Sequence, residues 1–131
     1  MLACHVQSIH HDEQAAARIA VDFVRRVVID DDREKASLLM TPAMRSNAVA
    51  IFAMLRGHGS NSQVRDVSAV EYEPVPGEAA MQVFLIGRED KSIDSYYRVL
   101  LEGTRETGYL VAEVERRANL FPPGRLRFPL R

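Results

Sequence analysis

The stretch that decides the fold is residues 96–114, YYRVLLEGTRETGYLVAEV, in which two strand-like runs flank a short polar turn. Both runs carry dense apolar side chains with the two-residue period of a β-strand. Gly103 and Gly108 bound the turn and are interpreted as turn or bulge residues. The stretch therefore predicts an antiparallel β-hairpin.

Strict alternation assigns the residues of this hairpin to two faces. The inner face, expected to pack under helices, consists of Tyr97, Val99, Leu101, Leu110, Ala112 and Val114. The outer face consists of Tyr96, Arg98, Leu100, Val111 and Glu113. On that outer face, Arg98 opposite Glu113 or Glu115 predicts a cross-strand ion pair. Because the outer face is too apolar to be left bare over its whole length, we expect it to form a homodimer interface.

Two further strands are predicted upstream of the hairpin, over residues 64–73 and 79–88, and its first strand is expected to begin near Ile93. Val64, Val67 and Val70 do not alternate cleanly, so we expect a bulge or strong twist in the first of these strands. The segment 74–77, PVPG, turns the chain between them. Residues 57–62, GHGSNS, separate the strands from a helical first half.

The first half of the chain shows the 3.6-residue period of amphipathic helices. Residues 12–28 predict one long helix with Asp12 or Ser8 as its N-cap and with an apolar stripe made of Ala16, Ile19, Ala20, Phe23, Val24 and Val27. Asp31 and Glu34 have the spacing of a capping box, which predicts a second helix over residues 32–40. Thr41 as N-cap and Pro42 as first residue predict a third helix that ends near Gly57.

Residues 30–32 are three aspartates, which could bind a cation or cap a helix. They lack the alternating oxygen ligands and central glycine of a calcium loop, so capping is the favoured interpretation. His10 and His11 are adjacent ligand-type residues at a helix start, a poor arrangement for converging on one metal. We expect no metal site and no cofactor.

Composition excludes several classes of function. The chain of 131 residues has 17 Lys and Arg against 18 Asp and Glu, so it offers no basic excess for nucleic acid. No apolar run reaches the roughly 20 residues that span a bilayer. A single cysteine, Cys4, excludes an internal disulfide framework and predicts a soluble cytoplasmic protein. The alternative is a lipid-anchored or exported protein, because Leu2, Ala3 and Cys4 are similar to the end of a lipoprotein processing site.

Three helices followed by four antiparallel strands predict an α+β domain in which helices cover one face of a curved sheet. Residues 1–11 are expected to be an N-terminal arm, 12–120 the domain, and 121–131 a Pro-rich tail. The chain resembles the nuclear transport factor 2-like superfamily in its first helix, in the aspartate-rich second helix leading to residues 38–42, LLMTP, and in the closing hairpin. The resemblance covers residues 12–120 as an order of elements.

This resemblance implies a cone-shaped sheet that encloses a pocket and that pairs as a homodimer. Pocket-lining positions would be Phe23, Val27, Met44, Phe52, Tyr97, Val99, Leu101 and Ala112. Enzymes of the superfamily project Asp, His and Tyr into the cone, whereas here the expected concave positions are mostly apolar. We therefore expect a noncatalytic domain that binds a small apolar ligand or a protein partner. The alternative is a cofactor-independent isomerase or dehydratase that uses Tyr97 with Asp22 or His58.

Overall fold

The computed structural model of the chain describes residues 9–56, 64–89 and 95–117. Cys4, His58 and the Pro-rich tail lie outside these described residues. The elements in chain order are α1 (Glu13–Val28), α2 (Arg33–Ser37), α3 (Pro42–Arg45), α4 (Ala48–Arg56), β1 (Val64–Pro74), β2 (Ala80–Glu89), β3 (Ser95–Thr104) and β4 (Gly108–Arg117). The strands form one antiparallel sheet in the order β1-β2-β3-β4. The predicted α+β class is confirmed.

Helix α1 follows the predicted pattern. Its N-cap is Asp12, whose Oδ1 accepts a hydrogen bond from the Ala15 N–H at 3.0 Å. Such a cap satisfies one of the N–H groups that a helix start leaves without a partner. Five of the six stripe residues are buried, and the sixth, Ile19, packs partly buried against the core.

The remaining helices are shorter than the sequence pattern predicts. Asp31 has a positive φ of 52°, so the N-cap moves one residue on to Asp32, which accepts from the Lys35 N–H. Thr41 caps α3 as expected, with its Oγ1 accepting from the Met44 N–H at 3.2 Å. The expected single third helix is instead two, α3 and α4. It is interrupted where the Ser46 hydroxyl donates to the Ala43 carbonyl at 2.7 Å, a local bond that competes with helix continuation.

Strand β1 contains the irregularity that its valines predict. Its register against β2 shifts between Val64 and Asp66 and again between Ala69 and Glu71. Val67 is consequently buried, whereas Val70 is 49% exposed. The expectation of a bulge or strong twist is confirmed.

The hairpin forms as predicted, but its second strand contains a bulge that alternation does not show. Leu100 pairs with Glu113 and Leu101 with Val111, so Ala112 is an extra residue in β4. Between the turn and this bulge, the predicted faces are exchanged: Val111 is fully buried in the core and Leu110 is exposed. The predicted outer position of Val111 and inner position of Leu110 are therefore wrong, while Val114, beyond the bulge, is buried as predicted.

The core lies between the helices and the inner sheet face. Its largest fully buried side chains include Tyr97, Phe23, Met40 and Leu101. The segment between α2 and α3 is tied to β4 because the Val111 N–H donates to the Leu39 carbonyl at 2.7 Å and the Thr41 N–H donates to the Val111 carbonyl at 2.9 Å. No helix within the described residues is both long and apolar enough to cross a membrane.

Candidate functional site

The predicted pocket residues lie mostly in the packed core. Seven of the eight belong to the buried core cluster: Phe23, Val27, Met44, Phe52, Tyr97, Val99 and Leu101. The eighth, Ala112, is the half-buried bulge residue of β4. None of the eight lines either of two surface cavities that are formed by described residues. Their role as a ligand pocket stays a prediction.

The larger of these two cavities is an open groove between α1 and β1, which we call the α1–β1 groove. Its volume is about 690 Å³, within the roughly 300–1,000 Å³ of small-molecule sites. Helix α1 contributes most of the lining, and β1 contributes two residues. The lining residues are Gln14, Ala17, Arg18, Ile19, Val21, Asp22, Arg25, Ala69 and Tyr72.

The charged side chains in the α1–β1 groove differ in whether they have a hydrogen-bond or ion-pair partner. Arg25 donates to Asp66 at 3.0 Å, and Asp22 accepts from Arg26, one turn along the helix, at 3.0 Å. Arg18 has no hydrogen bond or ion pair with any other residue that the structure describes. The groove therefore combines an apolar surface with one cation, Arg18, that no group among the described residues neutralises.

The smaller cavity, of about 320 Å³, is lined by residues at the start of α1 and by the β1–β2 turn. His11 lines this cavity, and its Nδ1 lies 2.9 Å from the Tyr109 hydroxyl, which accepts from the Asp12 N–H at 2.9 Å. The hydroxyl can accept from or donate to Nδ1, so the direction of this bond depends on the His11 tautomer. His11 Nε2 is buried and has no hydrogen-bond partner within the described part of the chain. Burial also raises the pKa of Tyr109, which disfavours the tyrosinate.

The groups named for catalysis do not meet in a described cavity. Tyr97 is 1% exposed within the core, and burial raises its pKa, which disfavours the tyrosinate. Asp22 borders the α1–β1 groove, where Arg26 engages its carboxylate. His58 lies outside the described residues. Tyr97 does not line the groove, so its hydroxyl and the Asp22 carboxylate do not face the same cavity there.

Metal-ligating side chains do not cluster within residues 9–56, 64–89 and 95–117: no group of three or more His, Cys, Asp or Glu residues could hold an ion there. Asp32, from the aspartate run, is used as a helix cap. His10 lies 3.6 Å from Glu106, and His11 bonds to Tyr109. The two adjacent histidines thus have different partners.

The outer sheet face carries a cross-strand network of charges. Arg98 donates to Gln82 on β2 at 2.8 Å and to Glu113 on β4 at 2.9 Å, and it lies 3.3 Å from Glu115. Arg117 donates to Glu115 at 2.6 Å. The predicted ion pair of Arg98 is confirmed and includes both candidate glutamates. This network fixes the positions of side chains on three neighbouring strands.

Apolar residues surround that network. Phe84 pairs with Arg98 in register, which places it on the outer face, and it is fully buried. Tyr96 and Leu100 are half-buried, and Leu110 is 37% exposed. We call Tyr96, Arg98, Leu100, Leu110 and Glu113 the outer patch; it is the predicted dimer face with Leu110 in place of Val111.

We compared the chain with protein-family models, with curated proteins and with solved structures, and none of the three comparisons finds a match. The α+β class therefore rests on the structure itself. The similarity to the nuclear transport factor 2-like superfamily rests on the order of elements alone.

Sequence reasoning missed the α1–β1 groove. One signal was available, since Val21 is an apolar residue that lies outside the predicted stripe of α1 and now lines the groove. The contribution of β1 was hidden, because Ala69 and Tyr72 reach the same face of the sheet only through the register shift between them.

Proposed function

We propose that this chain is a noncatalytic assembly domain with a nuclear transport factor 2-like cone fold, and that it forms a homodimer through the outer patch. The observation that carries the proposal is the state of Arg98 and Arg117. Both lie on the outer face, yet their side chains are only 17% and 13% exposed. Arginine heads on a free surface are ordinarily extended into water. Here they lie among neighbouring side chains, which leaves the apolar groups of the patch available for contact.

The charges of the outer patch suit a second copy of the same chain. In a two-fold dimer each patch meets itself, so a patch with both signs of charge can be self-complementary. Arg98 and Glu113 supply both signs within one bonded unit. With a net charge of −1 per chain, overall repulsion between copies is small. In addition, Nε of Arg117 is buried and has no hydrogen-bond partner among the residues that the structure describes, so an acceptor from a second copy would satisfy it.

The alternative function, an isomerase or dehydratase, has weaker support. It needs a base and an oxyanion donor within reach of one bound molecule. Tyr97 is enclosed in the core, while Asp22 lies at the α1–β1 groove and is bonded to Arg26. The single cysteine supports a reducing, cytoplasmic setting for the assembly domain.

Sedimentation equilibrium tests the proposal. The wild-type chain is expected at twice its 14.7 kDa at micromolar concentration. Leu100→Glu places a carboxylate inside the patch and should raise the dimer dissociation constant by about 30-fold or more, equivalent to about 2 kcal/mol. Leu110→Glu is a second variant at a more exposed position, where a carboxylate disturbs folding less, so the test does not depend on Leu100→Glu alone.

The matched control is Leu38→Glu. Leu38 is 66% exposed, lies directly after α2 and is not part of the outer patch. It should leave the dissociation constant unchanged. A wild-type chain that remains monomeric at about 1 mM, or a dimer that Leu38→Glu weakens as strongly as the patch variants do, would overturn the proposal.

A further inference from the structure

We propose that the α1–β1 groove binds a small amphipathic molecule with one anionic head group and an apolar body, of the size of a medium-chain carboxylate. The site lies on the inner side of the sheet, at its β1 edge, and is separate from the outer patch. It therefore adds a ligand to the proposed assembly domain and does not depend on dimer formation.

The groove supplies the apolar part of such a site. Ala17 and Val21 lie one turn apart on α1, and Ala69 and Tyr72 come from β1. These side chains present methyl groups and one aromatic ring to the same open volume of about 690 Å³. An apolar chain placed there would be removed from water along its length, at a gain roughly proportional to the area it buries.

Charge determines the head group. Of the three charged residues that line the groove, Asp22 is bonded to Arg26 and Arg25 is bonded to Asp66. Arg18 is left without an ion-pair partner among the described residues. The groove thus has an excess of one positive charge although the whole chain has a net charge of −1. A planar guanidinium is suited to bidentate contact with a carboxylate, so an anionic head is selected over a cationic one.

Two uncharged groups can complete the polar contacts. The Gln14 amide and the Tyr72 hydroxyl also line the groove, and neither has a hydrogen-bond partner in the part of the chain that the structure describes. An amide and a hydroxyl can each donate to carboxylate oxygens. The groove therefore combines an apolar surface with a small number of polar groups, as small-molecule sites usually do.

The neighbouring strand edge favours a small molecule over an added peptide strand. Strand β1 is at the edge of the sheet, where an extended peptide could pair with it. Two register shifts, at Val64/Asp66 and at Ala69/Glu71, interrupt its regular backbone. Bulges of this kind protect edges against strand addition. The apolar volume beside β1 is thus available, while its backbone is a poor template.

Isothermal titration with dodecanoate, below its critical micelle concentration, tests the inference, with dodecan-1-ol as the uncharged probe. The wild-type chain should bind one dodecanoate, and it should bind dodecan-1-ol about fivefold more weakly, as expected for a partly solvated ion pair. Arg18→Gln should weaken dodecanoate binding about fivefold and leave dodecan-1-ol binding unchanged. Arg18→Lys should retain most of the preference for the anion. Val21→Gln should weaken both probes, because it removes apolar surface.

The matched control is Arg33→Gln, which removes one positive charge from an exposed arginine on α2 that does not line the groove. It should not change the affinity for either probe. The same titration on Leu100→Glu should give wild-type affinity, since that substitution lies on the outer patch. The inference is overturned if dodecanoate does not bind at about 1 mM, if both probes bind equally, or if Arg33→Gln matches Arg18→Gln.

Discussion

The bulge at Ala112 makes a prediction that separates the structure from the simple alternation of the sequence. In the structure, Val111 is fully buried and Leu110 is 37% exposed. Without the bulge, Leu110 would face the core and Val111 would face outward. Substituting alanine at each position therefore tests which side chain is inside.

The magnitudes follow from burial. Val111→Ala removes two buried carbons, worth about 0.8 kcal/mol each, and the cavity left behind raises the cost to about 2–3 kcal/mol. The backbone bonds from Val111 to Leu39 and Thr41 remain in the alanine variant, so the loss reports the side chain. Leu110→Ala removes a larger but partly solvated side chain and should cost about 1 kcal/mol or less.

Urea unfolding followed by circular dichroism measures both costs. With an m-value of about 2 kcal/mol/M, Val111→Ala should lower the midpoint by about 1–1.5 M and Leu110→Ala by about 0.5 M at most. Both variants should be compared at the same low protein concentration, because dimer formation adds to apparent stability. A greater loss for Leu110→Ala than for Val111→Ala would refute the bulged register and restore the alternating one.

Four other substitutions test separate parts of the fold. Gly103 has a φ of +141°, and a Cβ there would overlap the Gly108 carbonyl oxygen, so Gly103→Ala should cost at least about 3 kcal/mol. Gly77→Ala, at φ +75° but with open space, should cost only about 1 kcal/mol in the same urea assay. Burial raises the pKa of Tyr97, whereas an unfolded tyrosine ionises near pH 10. The contribution of Tyr97 to the free energy of unfolding should therefore be fully retained below about pH 10 and be lost as the pH rises above it. Tyr97→Phe should make the fall of that free energy with pH less steep, by up to about 1.4 kcal/mol per pH unit. An unchanged pH dependence in urea titrations between about pH 8 and 11 would contradict this. Asp12→Ala removes the α1 cap and should cost about 1 kcal/mol; a neutral effect in thermal unfolding would contradict the capping bond.

Short sequence patterns predicted the fold correctly where a structural feature depends on residues that are close in sequence. The stripe of α1 and the caps at Asp12 and Thr41 depend on periodicity and on side-chain oxygens near the helix start. The irregularity of β1 was visible because its valines are three residues apart. In each case the sequence contains the physical cause.

The bulge in β4 could not be predicted in the same way. Alternation alone favours Leu110 inward, since leucine is as apolar as valine. The structure instead places Val111 inward, where its backbone N–H and carbonyl bond to the segment between α2 and α3. That pairing is a tertiary contact between residues about 70 positions apart in sequence, and no local pattern encodes it.

The two surfaces proposed for function also differ in how far the sequence alone could predict them. The outer patch was predicted from the hairpin alone, apart from the exchange of Val111 for Leu110. The α1–β1 groove depends on how α1 lies against β1, so its residues are dispersed in the sequence. Arg18 in particular looks like any solvated helix residue until its neighbours are seen to be bonded to other partners.

The central claim is that the outer patch self-associates, and thiol accessibility tests it most directly. Leu110→Cys and, separately, Leu38→Cys would be made in a Cys4→Ser background and labelled with a maleimide over a range of protein concentrations. If the outer patch self-associates, labelling at position 110 should slow about tenfold or more as the dimer forms, while labelling at position 38 should keep its rate. A rate at position 110 that does not depend on concentration, or equal slowing at both positions, would contradict it.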